Sequence, residues 1–283
     1  MWGTNSGFFI YNYQGATAAN LTGGTFVQPS DPGRGNKIRI GGAGVYLTGG
    51  SGGGGILYVR NGASINPPNI GTGWTAIPTP SNVADLGVDN TAVWTVGVDG
   101  IVRYPINPTT SNPTGTGWLT LPLPTSESVS NIAVGGLGVL VNTTPANRLY
   151  YRSNVTTTNP MGDTWLAPIG DTAASGLPVM AVSNIGIYGI DSSGNLNYRT
   201  GTSTSDPIGT GWTPLDGAGR RYIALSANQV GLWAIATDDT IWVRTGFNSS
   251  TPQGTTWTQV PNGFLASISV AEPVAPRFAR RRH

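Results

Sequence analysis

The chain has 283 residues, with 42 Gly, 21 Pro, no Cys, 15 basic and 13 acidic side chains. These numbers exclude a disulfide scaffold, a thiol nucleophile and a Cys-based metal site. No apolar run approaches the roughly 18 residues a membrane helix needs, so no membrane insertion is expected. The formal charge is +2, but Arg277, Arg280, Arg281 and Arg282 crowd the last seven residues. The remainder is slightly acidic and offers no basic face to nucleic acid.

A repeated unit defines the elements in chain order. Met1-Trp2 reads as a second strand, Phe9 to Asn12 as a third, and Gly23-Gly24-Thr25-Phe26 as the opening of a fourth. The next unit carries Tyr46, then Leu57 to Arg60, then Gly71-Thr72-Gly73-Trp74. Val93 to Val96 holds Trp94, the turn Asp99-Gly100 leads to Ile101 and Tyr104, and Gly115-Thr116-Gly117-Trp118 follows. Val129 to Val134 reads as a first strand, before Leu140, Leu149 to Arg152, and Gly162-Asp163-Thr164-Trp165. Tyr188, the turn Ser193-Gly194-Asn195, Leu196 to Arg199 and Gly209-Thr210-Gly211-Trp212 make a fifth copy. Trp233, Ile241 to Arg244 and Gly254-Thr255-Thr256-Trp257 make the sixth. The anchors at 26, 74, 118, 165, 212 and 257 are spaced 48, 44, 47, 47 and 45.

Pro lies five residues before Trp at Pro113, Pro160, Pro207 and Pro252, and six before it at Pro68. Arg lies thirteen or fourteen before it at Arg60, Arg152, Arg199 and Arg244, with Tyr104 and Asn12 aligned there in the other copies. Ile101 and Phe9 align with the apolar residue three places before Arg. The strands carry Val, Ile, Tyr and Trp, while the turns carry Gly, Asn, Asp and Pro. No stretch shows a helical period. Four strands per unit and six units of about 46 residues predict an all-β, six-bladed β-propeller of four-stranded antiparallel blades. Leu265 to Val270 supplies the first strand that the N-terminal unit lacks, so the ring is expected to close there. One domain over residues 1–276 is expected, followed by a basic, frayed tail over 277–283. The Gly-rich run Gly49 to Gly55 reads as a flexible hairpin turn in blade two. It lacks the Lys-Ser/Thr of a phosphate loop.

The pattern (I/L)-Y-x-R-x-G through P-x-G-T-x-W, clearest from Ile241 to Trp257, resembles the tectonin repeat. The resemblance covers nearly the whole chain and implies a propeller. Tectonin propellers include fungal, slime-mould and fish-egg lectins, as well as repeats within larger intracellular proteins. It therefore implies a multivalent lectin for cell-surface glycans, O-methylated ones among them, in a defence or recognition role. A non-enzymatic scaffold for a protein partner is the alternative. A lectin should repeat near-equivalent pockets around the ring, whereas a scaffold should show one large unrepeated patch.

Enzyme chemistry has little support. The sole His is His283, and several Asp, including Asp99, Asp191, Asp238 and Asp239, fall at turns. No loop has a calcium ligand pattern, and no cofactor or metal is expected. The Trp column suits either sugar stacking or blade packing. The expected ligand contacts are Arg60, Arg152, Arg199 and Arg244 as donor forks, with Trp94, Tyr188 and Trp233 as aromatic partners. Clefts at Arg152, Arg199 and Arg244 are expected to be the best sites, and the cleft of blade one the poorest. The start shows no basic region or long apolar core, so a cytoplasmic or non-classically secreted chain without a signal peptide is expected. The sequons at Asn20, Asn142, Asn154 and Asn248 matter only in a secretory pathway. Oligomerisation is compatible with all of this.

Overall fold

The computed structural model describes residues 1–271, apart from 18, 31–33, 50–54, 66–67, 110, 113, 157, 167–176, 204 and 249. The Gly50 to Gly54 portion of the expected hairpin, Pro113 and the basic tail lie outside the described residues. Six four-stranded antiparallel sheets form the blades. Five of them follow chain order from the axis outward, for example Tyr222–Asn228, Gly231–Ala236, Thr240–Thr245 and Thr256–Phe264 in blade six. The inner strands of neighbouring blades touch in succession around the axis. Closure follows the expected scheme. Ser267–Ser269 pairs with Trp2–Thr4 in the register Trp2 to Ser269 and Thr4 to Ser267. The last strand thereby supplies the inner strand of blade one.

The core is divided among the blade interfaces. Six apolar clusters form, and each joins side chains of two adjacent blades. Strand alternation produces this division, because successive side chains point to opposite sheet faces. In Gly231–Ala236, Trp233 and Ile235 pack toward blade one, while Leu232, Ala234 and Ala236 pack toward blade five. Both faces of such a strand are covered, so second strands read as nearly unbroken apolar runs. Every residue of Val93–Gly97, Ile187–Ile190 and Gly231–Ala236 is buried.

Register corrects two alignments by one residue. Arg60, Arg152, Arg199 and Arg244 each lie opposite the Trp of their outer strand. In blades three and one the residues at that position are Pro105, opposite Trp118, and Tyr13, opposite Phe26. Tyr104 and Asn12 precede them. Val102 and Ile10, 1% and 0% exposed, accordingly take the buried position assigned from sequence to Ile101 and Phe9. Arg60 lies fourteen residues before Trp74 because its loop is one residue longer. That difference made the offset ambiguous.

The alternation of strands gives the ring two faces. One carries the loops between third and fourth strands and the turns between first and second strands. It is called the loop face below. The opposite face carries the other turns and the connections between blades.

Candidate functional site

The four arginines staple the long loops. Their exposures are 2%, 7%, 3% and 7% for Arg60, Arg152, Arg199 and Arg244. In each, Nε donates to the carbonyl just before a loop glycine: Ile70 (2.8 Å), Met161 (2.5 Å), Ile208 and Gln253 (2.7 Å). Gly71, Gly162, Gly209 and Gly254 themselves have φ between +57° and +64°, a left-handed conformation that favours glycine. Each guanidinium also stacks on its own blade's Trp, with the carbon 5.2–5.6 Å from the ring centroid. In blade one Tyr13 replaces this stack by packing on Phe26 at 4.6 Å, and its hydroxyl accepts from Gly24 N–H. Burial raises the Tyr13 pKa, against the effect of that bond.

The outer-strand tryptophans reach toward the preceding blade. Trp118, Trp165 and Trp257 donate Nε1–H to the carbonyls of Pro78, Leu121 and Asp216, which follow the outer strand of the blade before. In blades four and six Arg and Trp thus form one unit, in which the loop is held to the blade and the blade to its neighbour.

The second-strand aromatics Trp94, Tyr188 and Trp233 are 0%, 0% and 3% exposed. Trp94 Nε1 donates to Asp89 Oδ2 at 2.8 Å. Burial raises the Asp89 pKa, against bonds from Trp94, Ala92 and Thr91. Tyr188 donates its hydroxyl to the Pro252 carbonyl at 2.5 Å. Trp233 differs, because its buried Nε1–H has no acceptor. It also lines an open cleft.

This cleft lies on the loop face where blades six, one and two meet, with a volume of about 710 Å³. Such a volume falls in the usual range of small-molecule sites, roughly 300–1,000 Å³. Gln14, Thr17, Ser64, Asn69 and Asn228 supply polar groups. Tyr13, Leu21, Ile65, Ile70 and Trp233 supply apolar surface, and among the described residues no Asp, Glu, Lys or Arg lines it. Gln14 and Asn69 are exposed. The structure therefore brings Trp233 to the cleft, while the four arginines, Trp94 and Tyr188 are absent from its lining. Sequence reasoning missed Gln14, Ser64, Asn69 and Asn228; Asn228 caps its turn as Asp89 and Ser183 do at the same place in blades three and five. The available signal was the departure of blade one from the Arg–Trp motif. Another described cleft, near Asp191, Asn195, Arg220 and Arg221, has a charged lining.

Residues 171–273 match the Tectonin domain family. Over that stretch, just over a third of the chain, the β-propeller is similar to the Tectonin domain. No curated protein sequence matches the chain. Among solved structures, YCF48 from Cyanidioschyzon merolae aligns over 92% of this chain and 80% of its own, at 12% identity and a TM-score of 0.53. A chain from the structure of Kap60 bound to yeast RCC1 (Prp20) aligns over 96% of this chain and 74% of its own, at 12% identity and 0.49. Human WBSCR16 aligns over 72% and 57%, at 10% identity and 0.46, so this chain spans just over half of that one. Similarity at this level concerns the fold alone. Among the described residues, no group of three or more His, Cys, Asp or Glu could hold a metal ion.

Proposed function

We propose that this propeller binds a neutral glycan in the cleft between blades six, one and two. The lining of the cleft carries the reading: amides and hydroxyls beside aromatic and aliphatic surface, without a charged side chain. Sugar hydroxyls pair with amides, while a CH face or an O-methyl group lies against apolar surface. Trp233 adds a donor. A buried donor without a partner costs about 1–3 kcal/mol, a penalty that an acceptor oxygen reaching Nε1 would relieve. This reading relocates the ligand from the arginine column, whose donors hold loop carbonyls.

Calorimetry with O-methylated and unmodified neutral methyl glycosides tests the reading. Gln14 is exposed, so Gln14→Ala should leave the melting temperature unchanged and weaken sugar binding roughly 2- to 10-fold, as loss of one hydrogen bond implies. Equal affinity in wild type and Gln14→Ala would count against this site. A single unrepeated cleft departs from the repeated pockets expected of a multivalent lectin and favours the second reading, a scaffold that accepts a peptide. On that second reading the glycosides give no heat.

A further inference from the structure

The ring axis has a second mouth, on the face opposite the cleft. It is lined by the starts of the inner strands, whereas Ile40 and Val270, near their ends, border the glycan cleft. Its wall is uneven. Blade two contributes Lys37, the chain's only lysine, and Arg39. Blades five, six and one contribute apolar groups, including Pro178, Val179, Ile223, Ala224 and Ala266. Ile223 is 43% exposed.

Asp85 is the only acidic residue in this lining, and its side chain is 3% exposed. One oxygen accepts from Ile132 N–H at 3.0 Å. The other lies 3.0 Å from Lys37 Nζ and 4.0 Å from Arg39 Nη2. Two cations therefore share one carboxylate. Among the described residues Arg39 donates one hydrogen bond, from Nη1 to the Ile38 carbonyl at 2.9 Å. The guanidinium has five N–H donors, so most remain available. The Lys37 and Arg39 side chains are 34% and 26% exposed, so both are reachable from the mouth. A net positive charge beside apolar walls attracts an anion more strongly than the same charge in open water, because the local dielectric is lower.

We propose that this mouth is a carboxylate site. It takes a small monocarboxylate with a short apolar body. The acid bridges Lys37 and Arg39, and the body lies on the wall containing Val179 and Ile223. Asp85 already shows that these cations accept a carboxylate. The site is separate from the glycan cleft and does not depend on it.

Calorimetry at low salt on the full chain tests the proposal. Hexanoate probes a fatty-acid source, and N-acetyl-leucine probes a peptide C-terminus. Hexanamide and N-acetyl-leucinamide are their neutral controls. At least one acid should bind, with its amide about 10-fold or more weaker, because a charge-assisted contact is lost. The stronger acid identifies the source. Arg39→Gln should weaken binding by a similar factor. Asp85→Asn removes the competing carboxylate and should tighten binding, a result that a purely blade-holding role for these residues would not give. The proposal is overturned if neither acid gives heat, if acid and amide bind alike, or if Asp85→Asn fails to tighten binding. The Asp85→Asn arm stands even if Arg39→Gln does not fold.

Discussion

Arg244 shows how one side chain serves two levels of structure. It donates to Gln253 and Gly254 of its own loop and to the Asp216 carbonyl ahead of its blade. Arg244→Ala takes the guanidinium donors from the Gln253 and Gly254 carbonyls, while the Asp216 carbonyl keeps Trp257 Nε1–H, and a charge-assisted bond is worth about 1.5–3 kcal/mol. A loss on the order of 3 kcal/mol is expected, which for a chain of this size lowers Tm by roughly 6–12 °C. Arg244→Lys should recover less than half of it, because an ammonium cannot reproduce the fork. Thermal melts of the two variants check both statements. Asp99 gives a pH signature. Its hydrogen bond from Arg103 holds its pKa below the ordinary 3.8, with the Nη2 to Oδ2 distance at 2.5 Å. The contribution to stability is therefore present above about pH 3.8 and is lost as pH falls through the lower folded value. Asp99→Asn should lower Tm at neutral pH, and its difference from wild type should shrink below about 3.8. A difference that persists in stronger acid would contradict this assignment. At this scale the sequence revealed which residues recur. It could not reveal whether Arg faced a ligand or a carbonyl, because both uses need the same planar donor.

The closing strand is the element with the least redundancy. It is held by pairing with Trp2–Thr4 and by Leu265, Ile268 and Val270 packing toward blade six. Gly3 allows the close approach. A Cβ there would stand 2.7 Å from the Ser267 carbonyl oxygen and would overlap Leu265 Cδ1. Gly3→Val should therefore lower Tm far more than a surface valine substitution, as overpacking costs typically 1–3 kcal/mol. Removing residues 264–283 should unfold or aggregate the chain, since blade one then exposes a strand edge. Size-exclusion chromatography and a melt read that outcome, and a truncated chain with a full thermal transition contradicts it. Closure was legible because the missing strand at one end matched the extra strand at the other. The one-residue errors at Tyr104 and Asn12 arose in loops, where length varies while strand pairing does not. Tyr13 was hidden for another reason. It keeps the stacking geometry of the Arg–Trp pair with different chemistry, a tyrosine on Phe26.

For the whole molecule, repetition builds the frame and irregularity opens the site. Four blades devote Arg to holding their own loop and Trp to stacking on that Arg, which leaves the arginines and Trp165 buried and Trp74, Trp212 and Trp257 half-buried. Blade one lacks the pair, and beside it the ring carries the cleft in which no described side chain is charged. The expectation from sequence treated departure from the motif as loss of a site. In the fold, the same departure coincides with open space, which a repeat pattern cannot display. The described clefts differ in lining, so a single glycan site per chain is expected rather than a ring of equivalent ones. The most direct measurement is the calorimetric stoichiometry of a neutral methyl glycoside on the wild-type chain, repeated on Trp233→Phe, which removes the indole N–H and keeps an aromatic ring. One sugar per chain is expected, bound more weakly by the variant when both proteins are measured well below their melting transitions; the variant itself should melt somewhat lower, because Trp233 is 3% exposed and packed between blades six and one. Several equivalent sites, or binding indifferent to Trp233→Phe, would contradict this expectation.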